Sequence, residues 1–217
     1  MKMSHRQHQG GYTLVEIAIV LVIIGLLLGG VLKGQELIYN QKVKSTYDNY
    51  RQMTAAMYGY QDRYKALPGD DAAATTRGFI RGAGDPAIAN GDGNGYISGG
   101  GSLCSAAGTS GLEVCQAAFH LRLSGFLTGQ GAIASEHPLG GVVTLNSPAG
   151  IAGFTASFVA PTAVCWNNLP NKAAQQIDTS YDDGRALTGS MQGNANYTGL
   201  VATLPDTPSA AWTCMKN

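Results

Sequence analysis

The chain has 217 residues, 14 basic and 14 acidic side chains, and only 13% charged residues. Zero net charge removes the electrostatic case for a nucleic-acid partner, because phosphate binding needs a basic excess. Thirty glycines and four scattered cysteines, with no CxxC pair, point to a loop-rich domain outside the cytoplasm and away from zinc or thiol-redox chemistry.

The first residues, "MKMSHRQHQGG", carry Lys2 and Arg6 and no acid, a pattern that holds this end on the cytoplasmic side of a membrane. The apolar run from Tyr12 to Leu32 would extend roughly 30 Å as a helix, the thickness of one hydrocarbon core. It is longer than the apolar core of an ordinary signal peptide, and no small-x-small site follows it in a polar setting. A plain membrane anchor satisfies the length but leaves Glu16 without a purpose. It is the one ionisable side chain of "GGYTLVEIAIVLVIIGLLLGG", and a carboxylate at bilayer depth costs a few kcal/mol.

"GYTLVEIAIVLVIIGLL" resembles the N-terminal processing and assembly segment of type IV pilins and type II secretion pseudopilins. In that family a basic leader ends in Gly, and an aromatic residue, Thr-Leu, a branched aliphatic, Glu and an apolar helix follow. The resemblance implies a leader, residues 1–11, removed after Gly11 by a membrane prepilin peptidase. Tyr12 becomes an N-methylated terminus, and Glu16 the fifth mature residue. Members commonly carry a proline where this chain has Lys33, among Gly29, Gly30 and Gly34. Glu16 then has a physical role. The new amine at Tyr12 and the carboxylate four residues on neutralise one another in part, and in a filament the Glu16 of one subunit pairs with the amine of its neighbour. An unpaired buried charge costs several kcal/mol, so the pair sets helix register.

Beyond Leu32 the chain turns amphipathic: Val43, Tyr47, Tyr50, Met53, Met57, Tyr60 and Tyr64 recur at helical spacing. The spacing predicts one helix over 12–66, with 12–32 as membrane span or filament core, ending where Pro68 disfavours helical geometry at Leu67. A helix face packed on the following domain explains the tyrosine stripe better than electron hopping along it. Glycines at 25, 29, 30 and 34 suit either stretching of the segment or close packing against other helices.

Residues 67–217 read as an extracytoplasmic globular domain. The stretch 67–111 is Gly-, Ala- and Asp-rich without periodicity and reads as a long surface excursion. A short helix follows in "LEVCQAAFHLRLSGF", with His120 at its boundary, then strand candidates at Gly141–Leu145 and Phe154–Ala160. A brief helix begins near Pro170 and ends before Asp182, and "GLVATL" reads as a last strand. The order predicts an α+β fold, a long helix on a small antiparallel sheet with loop-rich excursions, which the pilin resemblance also implies. Four cysteines allow three pairings. Cys104–Cys115, closing a Gly- and Ala-rich loop, and Cys165–Cys214, tying down the C-terminal end, are the expected ones.

"NGDGNGYI" places Asn90, Asp92 and Asn94 like the first half of a calcium loop, but Gly101 stands where the bidentate Glu belongs. Asp85, Asp182 or Asp183 would have to join in space, and a plain Asn/Asp/Gly turn is the simpler account; some pseudopilins bind calcium in such a domain. Enzyme signatures are missing: there is no HExxH, GxSxG or P-loop, and "GQGAIA" at Gly129, Gly131 and Ala134 lacks a preceding strand. Neither His120 nor His137 has a nucleophile near it in sequence. The resemblance therefore implies a structural subunit that polymerises, alone or with other pilins, from the inner membrane, C-terminal side outward. Lipid, the prepilin peptidase and inner-membrane assembly machinery are its partners. A periplasmic pseudopilus of type II secretion, or a monomeric anchored binding module, are the alternatives.

Overall fold

The computed structural model describes residues 13–83, 85–100, 104, 111–129, 135–151, 154, 158, 160–193 and 212–216. Helix α1, Leu14–Tyr64, is unbroken. Internal contacts divide the chain into residues 1–41 and 42–217. In the first unit every side chain from Thr13 to Lys33 is exposed. In the second, the same helix buries Val43, Thr46, Met53, Ala56, Met57 and Tyr60, close to the stripe read from the sequence. The helix stops at Tyr64 rather than Ala66 because Lys65 takes a left-handed φ of 56° while its N–H still bonds the Gln61 carbonyl, a C-terminal stop placed ahead of Pro68.

Among the described residues, five antiparallel strands form one sheet: β1 (Ser135–His137), β2 (Gly141–Asn146), β3 (Ala163–Asn167), β4 (Met191–Gly193) and β5 (Trp212–Lys216), in the order β1-β2-β3-β5-β4. Period-two alternation splits their side chains between two faces. Val143, Leu145, Val164, Trp166 and Met215 share one face, where the Tyr50 ring of α1 lies 6.1 Å from Trp166 and its hydroxyl donates to the Lys216 carbonyl. Cys165 and Cys214 share the other with Ala163 and Trp212, packed with Ile151 and Phe158. Helix α2 (Glu113–Leu123) packs on β2, and α3 (Asn171–Tyr181) stacks its Tyr181 ring on Tyr47 of α1, centroids 3.5 Å apart. This is the α+β arrangement of a long helix with a small antiparallel sheet.

Several sequence expectations change. Cys165 sits in the middle of β3, a strand the spacing does not predict, opposite Cys214 of β5. Phe154, Phe158 and Ala160 lie outside any strand, and Phe154 stacks on Phe158 at 5.2 Å as a cover over the sheet. The rest of that candidate strand, most of "GQGAIA" and all of "GLVATL" fall outside the described residues. The stretch after Ala66 runs largely over the surface, as expected, but not wholly, since Asp70, Asp71, Ala74 and Ile97 are buried in it. His120 is not at a boundary. It is fully buried, its Nδ1 accepting the Gly69 N–H at 3.0 Å and its Nε2 lying 3.2 Å from the Ala89 carbonyl. Periodicity missed these positions because polar side chains there satisfy backbone groups from non-neighbouring segments.

Two disulfides, Cys104–Cys115 and Cys165–Cys214, close spans of 11 and 49 residues. Loop-closure entropy gives about 3 kcal/mol for the shorter and about 4 kcal/mol for the longer. Replacing each pair by alanine and measuring denaturant unfolding should show the larger loss for Cys165–Cys214.

Burial lowers the His120 pKa to about 4 from 6.5, against the opposing pull of the Ala89 carbonyl and the Asp71 charge. The fold therefore keeps the imidazole neutral. Its contribution is complete above pH 6.5 and is lost as pH falls toward 4, where the unfolded chain takes up a proton that the folded chain refuses. The loss should reach about 3 kcal/mol. Thermal melting against pH should show this decline, and His120→Gln should melt lower at neutral pH but fall less steeply on acidification.

Candidate functional site

The N-terminal end of α1 is built as a reciprocal cap. The Thr13 N–H and hydroxyl both donate to Glu16 Oε2, at 2.8 and 3.1 Å, and the Glu16 N–H donates to Thr13 Oγ1 at 3.3 Å. This is the capping box, in which two residues three apart satisfy each other's orphan N–H groups at a helix start. The charge of Glu16 stands out in the sequence while its partner Thr13 does not, although Thr-x-x-Glu ahead of an apolar run is a readable signature. The carboxylate also sits at the positive end of the helix dipole, where a negative charge is favoured. Gly11 and Tyr12 lie outside the described residues.

The helix that follows presents an uninterrupted apolar surface. Fourteen large aliphatic side chains between Leu14 and Leu32 are exposed. At roughly 1.5–3 kcal/mol for burying one such side chain, covering them is worth on the order of 20 kcal/mol or more. Such a surface requires lipid or other helices around it. Added Cβ atoms at Gly25, Gly29, Gly30 and Gly34 would meet nothing within 4 Å. Each of these glycines costs about 1 kcal/mol against alanine in a helix, with no gain inside the chain.

The second constellation is the loop around Asp70. Asp70 Oδ1 accepts the N–H groups of Gly93 (2.6 Å) and Asn94 (3.1 Å), and Oδ2 accepts that of Gly95 (2.7 Å). Glu113, at the start of α2, accepts Asp92 N–H at 2.9 Å and Ser98 N–H at 2.7 Å. Burial raises the Asp70 pKa, the Gly95 and Gly93 N–H groups oppose it, and Asp92 and Glu113 add to the rise. Next to it, Asp71 takes a bidentate contact from Arg77 (2.9 and 3.0 Å), the Tyr60 hydroxyl (2.7 Å) and the Ala73 N–H (2.9 Å). Burial would raise its pKa, but these donors outweigh burial and the net shift is downward.

Of the three residues considered for calcium, only Asp92 joins an acidic cluster, with Asp70 and Glu113, and none of Asp85, Asp182 and Asp183 joins it there. Asn90 Oδ1 instead accepts the Thr75 N–H, and Asn94 Oδ1 the Tyr96 N–H. A separate trio, Asp178, Asp182 and Asp183, lies at the end of α3. Both clusters have the composition to hold a metal ion. In the first, each oxygen of Asp70 and Glu113 already accepts a backbone N–H, so the acids organise the loop whether or not a cation is present.

Residues 6–32 match the family model of the prokaryotic N-terminal methylation motif. This is the prepilin signature of type IV pilin-like and pseudopilin substrates of prepilin peptidase. No curated protein and no solved structure matches the chain.

Proposed function

We propose that this protein is a structural subunit of a type IV pilus-like filament, cleaved after Gly11 and assembled through α1. The observation that carries the reading is the exposed apolar helix whose only early charge, Glu16, sits at its capped start. Lipid shelters this surface before assembly and neighbouring α1 helices shelter it afterwards. The four glycines, without steric need inside the chain, suit close approach of those neighbours. Lys2 and Arg6 keep the leader in the cytoplasm, which puts residues 67–217 outside. The loop acids need no calcium in this reading. A pseudopilus in type II secretion would use the same helix physics; loss of exoprotein secretion with surface filaments intact would favour it. A protein that never leaves the membrane fraction as polymer would favour an anchored module.

Intact-mass measurement of assembled material should give a chain beginning at Tyr12 and carrying one methyl group; a retained leader would contradict the processing step.

Two substitutions separate the cap from the charge. Glu16→Gln keeps an acceptor for the Thr13 N–H, since glutamine also serves in a capping box, but cannot neutralise a neighbour's amine. Glu16→Ala removes both. Both variants should insert in the membrane and lose most filament yield, because the desolvated amine loses its partner only when helices bundle. Normal filament yield from Glu16→Gln with failure of Glu16→Ala would reduce Glu16 to a helix cap.

A further inference from the structure

The segment "NGDGNG" joins three Asx–Gly steps in a row, Asn90–Gly91, Asp92–Gly93 and Asn94–Gly95. Asx–Gly is the dipeptide most prone to cyclise, since glycine puts no side chain in the way of its own nitrogen. Yet the glycines are obligatory. Gly93 and Gly95 take left-handed φ values of 74° and 87°, and a Cβ at Gly91 would stand 2.3 Å from Asp70 Cα. The backbone path thus creates a chemical weakness.

We propose that Asp70 protects this loop from succinimide formation, by holding the two glycine amide protons whose loss would start the reaction, and that Asn94 is a latent deamidation site exposed when the Asp70 carboxylate is removed. At Asn94 the reaction needs the Gly95 nitrogen to lose its proton and bond to Asn94 Cγ. The bond from Cγ to the side-chain nitrogen then breaks and ammonia departs. Water reopens the ring to aspartate or isoaspartate, so no further reactant is required. In the fold the Gly95 N–H donates to Asp70 Oδ2 at 2.7 Å and the Gly93 N–H to Asp70 Oδ1 at 2.6 Å. A carboxylate at that distance both occupies the proton and penalises the amide anion left behind, a like-charge pair in a buried setting. Asp70 is only 4% exposed, so solvent does little to screen it. The Asn94 side chain is held as well, its Oδ1 accepting the Tyr96 N–H and its Nδ2 donating to Asp92 Oδ2 at 2.7 Å. Asn90 has a different protector: the Gly91 N–H donates to the Asp71 backbone carbonyl, and Asn90 Oδ1 accepts the Thr75 N–H.

That division makes the test internal to one molecule. Full-length protein in detergent is incubated in mildly alkaline buffer, and conversion at Asn90 and Asn94 is followed separately by peptide mass spectrometry. In the folded chain both amides should persist while the same chain in denaturant loses them. Asp70→Asn should accelerate conversion at Asn94 by roughly tenfold or more, the factor for one lost charge-assisted hydrogen bond, and leave Asn90 at its original rate. Glu113→Gln, which loosens the loop at Asp92 and Ser98 but keeps Asp70, should leave Asn94 protected. The proposal is overturned if Asn94 converts in folded protein as fast as in denaturant, or if Asp70→Asn changes neither site or both equally. Acceleration by Glu113→Gln to the same degree as Asp70→Asn also overturns it.

Discussion

One unbroken helix must satisfy two different surroundings along its length, and the remaining architecture follows from that demand. From Ile17 to Leu32 the helix carries aliphatic side chains on every side, a surface that hydrocarbon or other helices can cover. From Val43 onward it offers a narrower apolar stripe, with Lys44, Arg51 and Arg63 off it, and that stripe is buried by its own domain. The change of pattern occurs within a single hydrogen-bonded ladder. A helix of this length gains little from propensity alone, so its C-terminal half depends on tertiary packing.

Polar contacts add to that packing at the end of the helix. Tyr60 lies on α1, Asp71 and Arg77 on the chain that follows it, and their contacts fasten the end of the helix to the first loop of the domain. Arg77 also donates to the Tyr64 carbonyl at 3.2 Å, filling one of the acceptors a helix end leaves open. Removing Arg77 would strand the buried Asp71 carboxylate, which costs more than the pair itself contributes. His120 joins the same region by taking the Gly69 N–H. At the opposite end of the chain order, β5 enters between β3 and β4, and Cys214 is bonded to Cys165 across the ladder. The last residues of the described chain are thereby made central to the sheet.

The helix and the strands were legible to different degrees. Leu14–Tyr64, α2, α3 and β2 announce themselves through periodicity or turn residues such as Pro170 and Gly184. Strands β3 and β5 do not, because "AVCWN" and "WTCMK" are short, lack clear alternation and gain their stability from neighbours distant in sequence. The candidate site was half readable. Glu16 stands out as a charge in an apolar run, whereas its bond to Thr13 is a local geometry that the charge argument passed over. Asp70 and Glu113 were unreadable as a pair, since forty-odd residues of aperiodic chain separate two acids that the fold brings to one loop.

Asp70 also shows why a loop of this composition need not be loose. Glycine-rich chain loses more conformational freedom on ordering than any other, so something must offset that entropy. In this loop the offset is a buried carboxylate taking three N–H groups and a second acid taking two, charge-assisted bonds stronger than those between neutral groups. The arrangement carries its own cost, because burial first, and then the neighbouring Asp92 and Glu113, raise the Asp70 pKa. An apolar loop would avoid that cost but could not bind the amides that left-handed glycines turn inward. Given a backbone that needs those glycines, acids beneath them are the physical solution, and the same bonds that order the loop keep its nitrogens unreactive.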